Sequence, residues 1–443
     1  MRMVRLVLLL TFFCAMFSGC ARETTAEHSA NQYAAQELAA APLHSNIPDY
    51  SLSPSDLEKS QHLSKVGVTM HFVQEAWDLI ALILLLSLGV MAWMRDKAAG
   101  ISKNVWGQGY IFLLLYLIVD WLVDLPLDLY RQHLSLVYGL SVQSWGSWFG
   151  DEAKGLGMGW GFGGLIFLLL FWVIRKFPRR WWLVFWGCSI PIVFFMIFVG
   201  PYIEPVFNKY EPLQQTNPEL VAQLEKVVQK NHMDIPPERM FLMKASEKVT
   251  TMNADVEGFG ASKRVVVWDN TIAKMKPEEI LLVFGHESGH YVLHHIQATV
   301  VLILAMLLVM LYLSYLFVQW AIARFGARWG VPAPGDWAAF GVLLLAFSLC
   351  SLFTEPIINN FSRMNEHAAD VFGQEAVHGL VADPQAAAQG AFVALGRVGF
   401  SDPNPNPLYE FWTYSHPGVG RRAAFAKVYD PWAPGMEPKY FKK

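Results

Sequence analysis

Two histidines four residues apart, His286 and His290, enclose Glu287 in the run Phe284-Gly285-His286-Glu287-Ser288-Gly289-His290. On a helix such residues share one face with side chains about 5–6 Å apart, so both imidazoles can reach one metal ion and the glutamate can reach a water beside it. That is the core of a zinc hydrolase. A helix is expected here: Lys276-Pro277-Glu278-Glu279 places Pro at a first helical position with acids in the first turn, and Ile280, Leu281, Leu282, Val283 and Phe284 continue an apolar run into His286.

A catalytic zinc takes three protein ligands and leaves one position open for water, so a third ligand must come from elsewhere. The stretch Ser362-Arg363-Met364-Asn365-Glu366-His367-Ala368-Ala369-Asp370 offers Glu366 as that ligand. Asp370, one turn further on, is placed to accept a hydrogen bond from a ligand imidazole and fix its orientation. His367, about 100° around the same helix, is the alternative ligand. Of the four cysteines, Cys14 and Cys20 fall in an N-terminal leader and Cys188 and Cys350 in apolar runs, so neither a disulfide framework nor a CxxC metal site can be assembled. One Zn2+ per chain, held by His and carboxylate, is expected.

These residues sit in a chain of 443 residues that is 54% hydrophobic, with 17 Trp and 30 Phe, more apolar surface than a soluble protein uses. Residues 72–94, 107–129, 157–174, 181–200, 297–322 and 337–358 are each long enough to cross a hydrocarbon core of ~30 Å. The N-terminus has basic residues, an apolar stretch to Phe17, then Ser18-Gly19-Cys20. It reads equally as a lipoprotein signal with a lipid anchor at Cys20 or as an uncleaved first span. With a net charge of −3 and no basic block, nucleic-acid binding has no electrostatic support.

Basic residues gather in alternate short loops: Arg95, Lys97 and Lys103; Arg175, Lys176, Arg179 and Arg180; Arg324 and Arg328. The positive-inside rule puts these loops in the cytoplasm and the polar segments on the other side, the periplasm of a bacterial inner membrane. The expected organisation is therefore a leader or span at 1–20, an extracytoplasmic tether at 21–71, flexible through its Ala-, Glu- and Ser-rich part to residue 49, and four spans in 72–200. A small α+β catalytic domain follows at 201–296, then two spans in 297–358, and 359–443 completes the catalytic domain with the third ligand. Within the insert, 217–231 reads as an amphipathic helix, and 239–244 and 263–268 as strands. Asp120, Asp124 and Asp128 recur on one face of a span, with Pro126 expected to break the helix near its end. Glu75, Asp78, Glu204 and Glu355 lie in or at the ends of others; charges there favour a hydrated interior or a partner.

Several stretches together resemble the type I CAAX prenyl proteases, integral-membrane zinc metalloendopeptidases: "FVGPYIEPVFNKYEPL", "MNADVEGFG" with "KRVVVWDNTI", "HESGHYVLHH" with His295, "SRMNEHAAD" and "YSHPGVGRR", in family order from about residue 50 to 425. The resemblance implies His286, His290 and Glu366 as zinc ligands and Glu287 as general base. It implies Asn253 and Ala254 on a strand that pairs with substrate backbone, and His416 and Arg422, with Arg421 as the alternative to the latter, where oxyanion charge develops. Asp370 and Arg363 are the supporting residues. It further implies a multi-span α-helical membrane protein, a helical barrel around a hydrated chamber, carrying a small α+β zinc metallopeptidase domain of gluzincin type.

Two departures bear on substrate. The loop charges reverse the orientation of the eukaryotic relatives, and a lipoprotein-like leader replaces the family's first span. The expected activity is therefore endoproteolysis of membrane-associated or exported polypeptides, in contact with membrane lipid, in processing or quality control. The competing readings are a true prenyl-peptide protease, a catalytically silent chamber or channel-like protein, and an intramembrane site-2-type protease, for which the Asp-Gly partner motif is missing.

Overall fold

The computed structural model describes residues 23–442 apart from Phe259. The leader, with Cys20, lies outside the described residues. The chain forms two compact units: the described part of Met1–Val68 with Ile197–Ala305 and Pro356–Lys443, and a second unit of Thr69–Met196 with Met306–Glu355.

Six helices among the described residues are long and apolar enough to cross a membrane: Pro54–Ser87, Val105–Val137, Trp145–Lys176, Trp181–Val206, His295–Trp329 and Ala339–Ala376. Their number matches the sequence reading, but three boundaries do not. The first helix starts at Pro54 and stops at Ser87, because Gly89 turns left-handed (φ 72°) and a separate helix, Val90–Ile101, begins. Pro126 does not break its helix, which runs on to Val137. Pro356 likewise lies inside Ala339–Ala376, so the last apolar run and the Glu366 stretch are one continuous helix. A proline inside a long membrane helix removes one backbone bond, which neighbouring groups can make good.

In the second unit the acid stripe finds polar company: Gln74 Nε2 donates to Asp78 at 2.6 Å and to Asp124 at 3.3 Å, Tyr116 donates to Asp120 at 2.8 Å, and His71 lies 3.2 Å from Glu355. The basic loops gather on the segment 330–336: Arg95 donates to Gly330 O and Asp336, and Arg175 donates to Gly335 O while stacking 3.8 Å from the Trp337 ring.

The other unit is built on a four-stranded sheet, β1 (Tyr210–Pro212), β2 (Met240–Met243), β3 (Ala254–Glu257) and β4 (Arg264–Trp268), in the order β1-β2-β4-β3. β4 is parallel to β2 and antiparallel to β3, which forms an edge. Central β4 buries residues on both faces: Val265 and Val267 in the main core, Val266 against Met243 and Ala245. The main core also takes the apolar face of Pro218–Lys230 and Ile280, Leu281, Leu282 and Phe284 of the HExxH helix, Pro277–Val292.

The expected flexible tether is instead folded. Thr24 and Glu27 form a capping box that starts the helix Thr25–Ala40, and Ala26, Ala30 and Ala34 are buried against Val371, Phe425 and Tyr429. Ile47, Tyr50 and Leu52 enter the main core. An alanine every fourth residue makes a close-packing stripe with almost no hydropathy signal, which explains why composition read it as unstructured.

Three glycines hold the site together. The HExxH helix and the Glu366 helix cross so closely that a Cβ built on Gly373 would sit 2.7 Å from His286 N, one on Gly285 3.1 Å from Gly373 O, and one on Gly289 3.2 Å from Ala369 Cα. Backbone cannot give way as a side chain can. Gly373→Ala is expected to destabilise the protein by about 1–3 kcal/mol and to weaken metal retention, read by thermal unfolding with and without zinc.

Candidate metal centre

The HExxH helix projects His286 and His290 from one face, and the crossing helix brings Glu366 to them from 76 residues further along the chain (366 − 290). Ligand atoms from all three lie within 4.8 Å of one another. The two Nε2 atoms are 3.2 Å apart; Glu366 Oε2 is 3.2 Å from His286 Nε2, and Oε1 is 3.4 Å from His290 Nε2. Each imidazole thus faces its own oxygen of the one carboxylate, and spacings of this size suit a small cation that makes bonds of about 2.0–2.1 Å.

Both outer ring nitrogens have close polar neighbours. Nδ1 of His286 faces Asp370 Oδ1 at 2.8 Å, and Nδ1 of His290 faces Nδ1 of His295 at 3.1 Å. When the His286 proton sits on Nδ1 toward Asp370, its Nε2 lone pair turns inward beside Glu366 Oε2, a buried oxygen that receives no hydrogen bond. Acceptors converging in a buried pocket fit a cation. The electrostatics agree: burial opposes charge on His286, yet Asp370 and Glu366 outweigh it and lift its pKa to about 10, while burial and His286 push His290 down to about 3. The two acids thus draw positive charge to His286, a demand that a metal ion held by all three side chains would meet in place of the proton.

Asp370 also accepts from two of the three guanidinium nitrogens of Arg422, Nε at 2.9 Å and Nη2 at 2.6 Å, and Arg422 Nη2 is 3.9 Å from Glu366. Asp370→Asn is expected to weaken zinc binding about 10- to 100-fold, measured by competition with a chromogenic chelator.

Glu287 lies 3.9 Å from His286 Nε2 and keeps 24% of its side chain exposed, enough for water to reach it. Burial raises its carboxyl to about 7; His286 opposes the rise, and Asp255 and Glu366 add to it. His416, from the loop after the helix Pro407–Thr413, brings Nε2 to 3.3 Å from Glu366 Oε1. Arg363 touches no ligand. It donates to the carbonyls of Glu410 (2.8 Å) and Tyr414 (2.5 Å) and so holds the loop that presents His416.

Ala254 opens edge strand β3, and Asn253 precedes it, its amide N–H donating to Thr271 and its side chain to the Asp255 carboxylate. His367, the alternative ligand, turns instead to Glu27 at 3.3 Å. Arg421 is half exposed and reaches Glu410, not the metal site. Three contributors escaped sequence reasoning: Asp255, which burial pushes to about 6 and which acts on Glu287; Glu410, which takes the Gly418 N–H in the loop after His416; and the crossing glycines. Only the last had a signal, the four-residue spacing of Gly285 and Gly289 around the motif.

Residues 39–209 match the family model described as CAAX prenyl protease N-terminal, five membrane helices, and residues 214–429 match peptidase family M48. An uncharacterized metalloprotease of Bacillus subtilis, YhfN, is 30% identical over 383 residues, 86% of this chain and 87% of that one. The chain belongs to the M48 peptidase family. Like its M48 relatives it is a membrane-embedded metalloprotease, a hydrolase acting on polypeptides, with a metal cofactor. CAAX prenyl protease 1 of Saccharomyces cerevisiae is 26% identical over 333 residues, 71% of each chain. The crystal structure of S. mikatae Ste24p superposes with a TM-score of 0.73 at 21% identity, covering 95% of this chain and 98% of that one, and shares its fold. The fold class and family expected from sequence are thus the observed ones.

Proposed function

We propose that this M48 protein is a zinc-dependent endopeptidase of a bacterial inner membrane whose catalytic unit faces the periplasm and cleaves membrane-associated or exported polypeptides. The observation that carries this reading is the convergence of His286, His290 and Glu366, whose imidazole Nε2 atoms lie 3.2 Å apart and each face one oxygen of the carboxylate, at 3.2 and 3.4 Å. Zinc held there supplies Lewis acidity that lowers the pKa of water toward neutrality and polarises a scissile carbonyl.

The chain's own residues do the rest. Glu287 takes the proton from the attacking water and returns it to the leaving amine, a role that its partial exposure and raised pKa suit. His416 donates to the developing oxyanion. Arg422, tied to Asp370, adds positive potential from behind Glu366. An extended substrate pairs with the open edge of β3, entering beside Asn253 and Ala254. Asp370 fixes His286, and Arg363 fixes the His416 loop.

The orientation rests on charge. The basic loops around Arg95 and Arg175 meet the same short segment, as a cytoplasmic end would require. The N-terminal helix Thr25–Ala40 packs in the same compact unit as the metal site, so an exported leader would carry the peptidase to the periplasmic side with it.

Full removal of metal by chelator is expected to abolish cleavage of a casein-type substrate by the purified protein, and one equivalent of zinc per chain to restore it. Cleavage that persists with no metal detected by elemental analysis would refute this reading.

A further inference from the structure

The helix that carries Glu366 is gripped from two sides. Glu366, Asp370 and Gly373 face the HExxH helix. His367, Val371 and Glu375, spaced four residues apart on another face, meet segments that lie beyond both family matches, which together cover 39–209 and 214–429. His367 Nε2 is 3.3 Å from Glu27 Oε1 and 3.4 Å from Asn31 Nδ2, both on the N-terminal helix. Val371 packs with Ala26, Ala30 and Ala34 of that helix. Glu375, fully buried, accepts the backbone N–H of Lys439 (2.7 Å), Tyr440 (2.8 Å) and Phe441 (3.1 Å) from the C-terminal segment. The two segments are joined to each other: Lys439 Nζ lies 3.0 and 2.9 Å from the two oxygens of Glu27.

We propose that the N-terminal helix and the C-terminal segment form a clasp that sets the rotation of the Glu366 helix, with Glu27 as a positioning residue acting through His367. Glu366 and His367 are adjacent and about 100° apart around the axis, so what anchors one aims the other. Turning a helix by 10° moves a side-chain tip at a radius of about 5–6 Å by about 1 Å, more than a metal ligand tolerates. Glu27 is almost fully buried, with its carboxylate shared among Lys439, His367 and the Thr24 N–H, so it has no freedom to drift. The glycine crossing fixes the distance between the two helices, and the clasp fixes the angle.

This inference rests on the reading of His286, His290 and Glu366 as the zinc ligands, and its test separates the two. The rate at which zinc leaves the holoenzyme into excess chelator is measured for the wild type, Glu27→Gln, His367→Gln and the double variant. The absorption spectrum of the cobalt-substituted protein reports ligand geometry directly. Gln is nearly isosteric with Glu, so the fold survives the first change. Release is expected to quicken about three- to tenfold in each single variant and no further in the double one, with an altered cobalt spectrum, a lower kcat and an unchanged KM. Tyr33→Phe, on the same helix as Glu27, loses only the hydroxyl's hydrogen bonds to Glu37 and Asp49 and is expected to lower the melting temperature while leaving release and spectrum as in the wild type. Wild-type release from Glu27→Gln, or effects that multiply in the double variant, would overturn the clasp. A wild-type protein that holds no zinc would take away the ligand assignment itself.

Discussion

Glu287→Gln is expected to keep zinc at wild-type stoichiometry and to lose about 10²–10⁴-fold in kcat. The amide matches the carboxylate in volume and still hydrogen-bonds water, but it cannot accept a proton at any pH of interest. Because Glu287 is not one of the three converging ligands, its removal leaves their spacing intact. The pH dependence follows with a definite sign. A general base works only when ionised, so wild-type kcat/KM falls as pH drops through the Glu287 pKa. Burial lifts that pKa to about 7, and a cation nearby lowers it, which places the acid limb below 7. In Glu287→Gln the limb attributable to this group should vanish. Wild-type turnover by a zinc-loaded Glu287→Gln protein would remove Glu287 from the mechanism.

Glu366→Ala is expected to have a second large effect, of a different kind: a fall in zinc affinity on the order of 10³-fold, beyond the 10–100-fold typical of residues that only support ligands. His286, His290 and His416 all approach this carboxylate within 3.4 Å, and Arg422 within 3.9 Å. Removing it leaves imidazoles and a guanidinium facing one another in a buried place, and breaking such a buried pair costs about 3–5 kcal/mol. Equilibrium dialysis against buffered zinc and denaturant unfolding of the metal-free protein measure the two consequences separately. Lost stability with undiminished zinc affinity would make Glu366 a structural ion-pair partner, and the ligand would have to be sought elsewhere.

How far the site could be read in advance depended on how local its signal was. His286, Glu287 and His290 are four residues apart and advertise a helix face. Glu366 was reachable because ligand chemistry demands a third donor and the Asn-Glu-His run supplied one. The six membrane helices were legible because hydropathy summed over some twenty residues is hard to mistake. What escaped depends on tertiary packing. Pro126 looked like a stop, yet its helix runs through it, and the apolar run that was expected to end at 358 continues as one helix into the Glu366 stretch. The stretch 25–40 looked like a linker because alanine contributes little hydropathy, although Ala26, Ala30 and Ala34 bury a continuous seam. Asp255 and Glu410 had no pattern to betray them, since their roles come from the surfaces they meet after folding.

The crossing at Gly285, Gly289 and Gly373 bears on which ion the protein can use. Where two helices touch through main chain, their axes can come no closer, and any change in the spacing of the backbones that carry the histidine pair and Glu366 takes a shift of whole helices. The side chains around an ion keep their torsional freedom, but the frame they hang from does not. Selectivity among ions at such a site would rest on the stiffness of that frame, encoded in residues that never touch the ion.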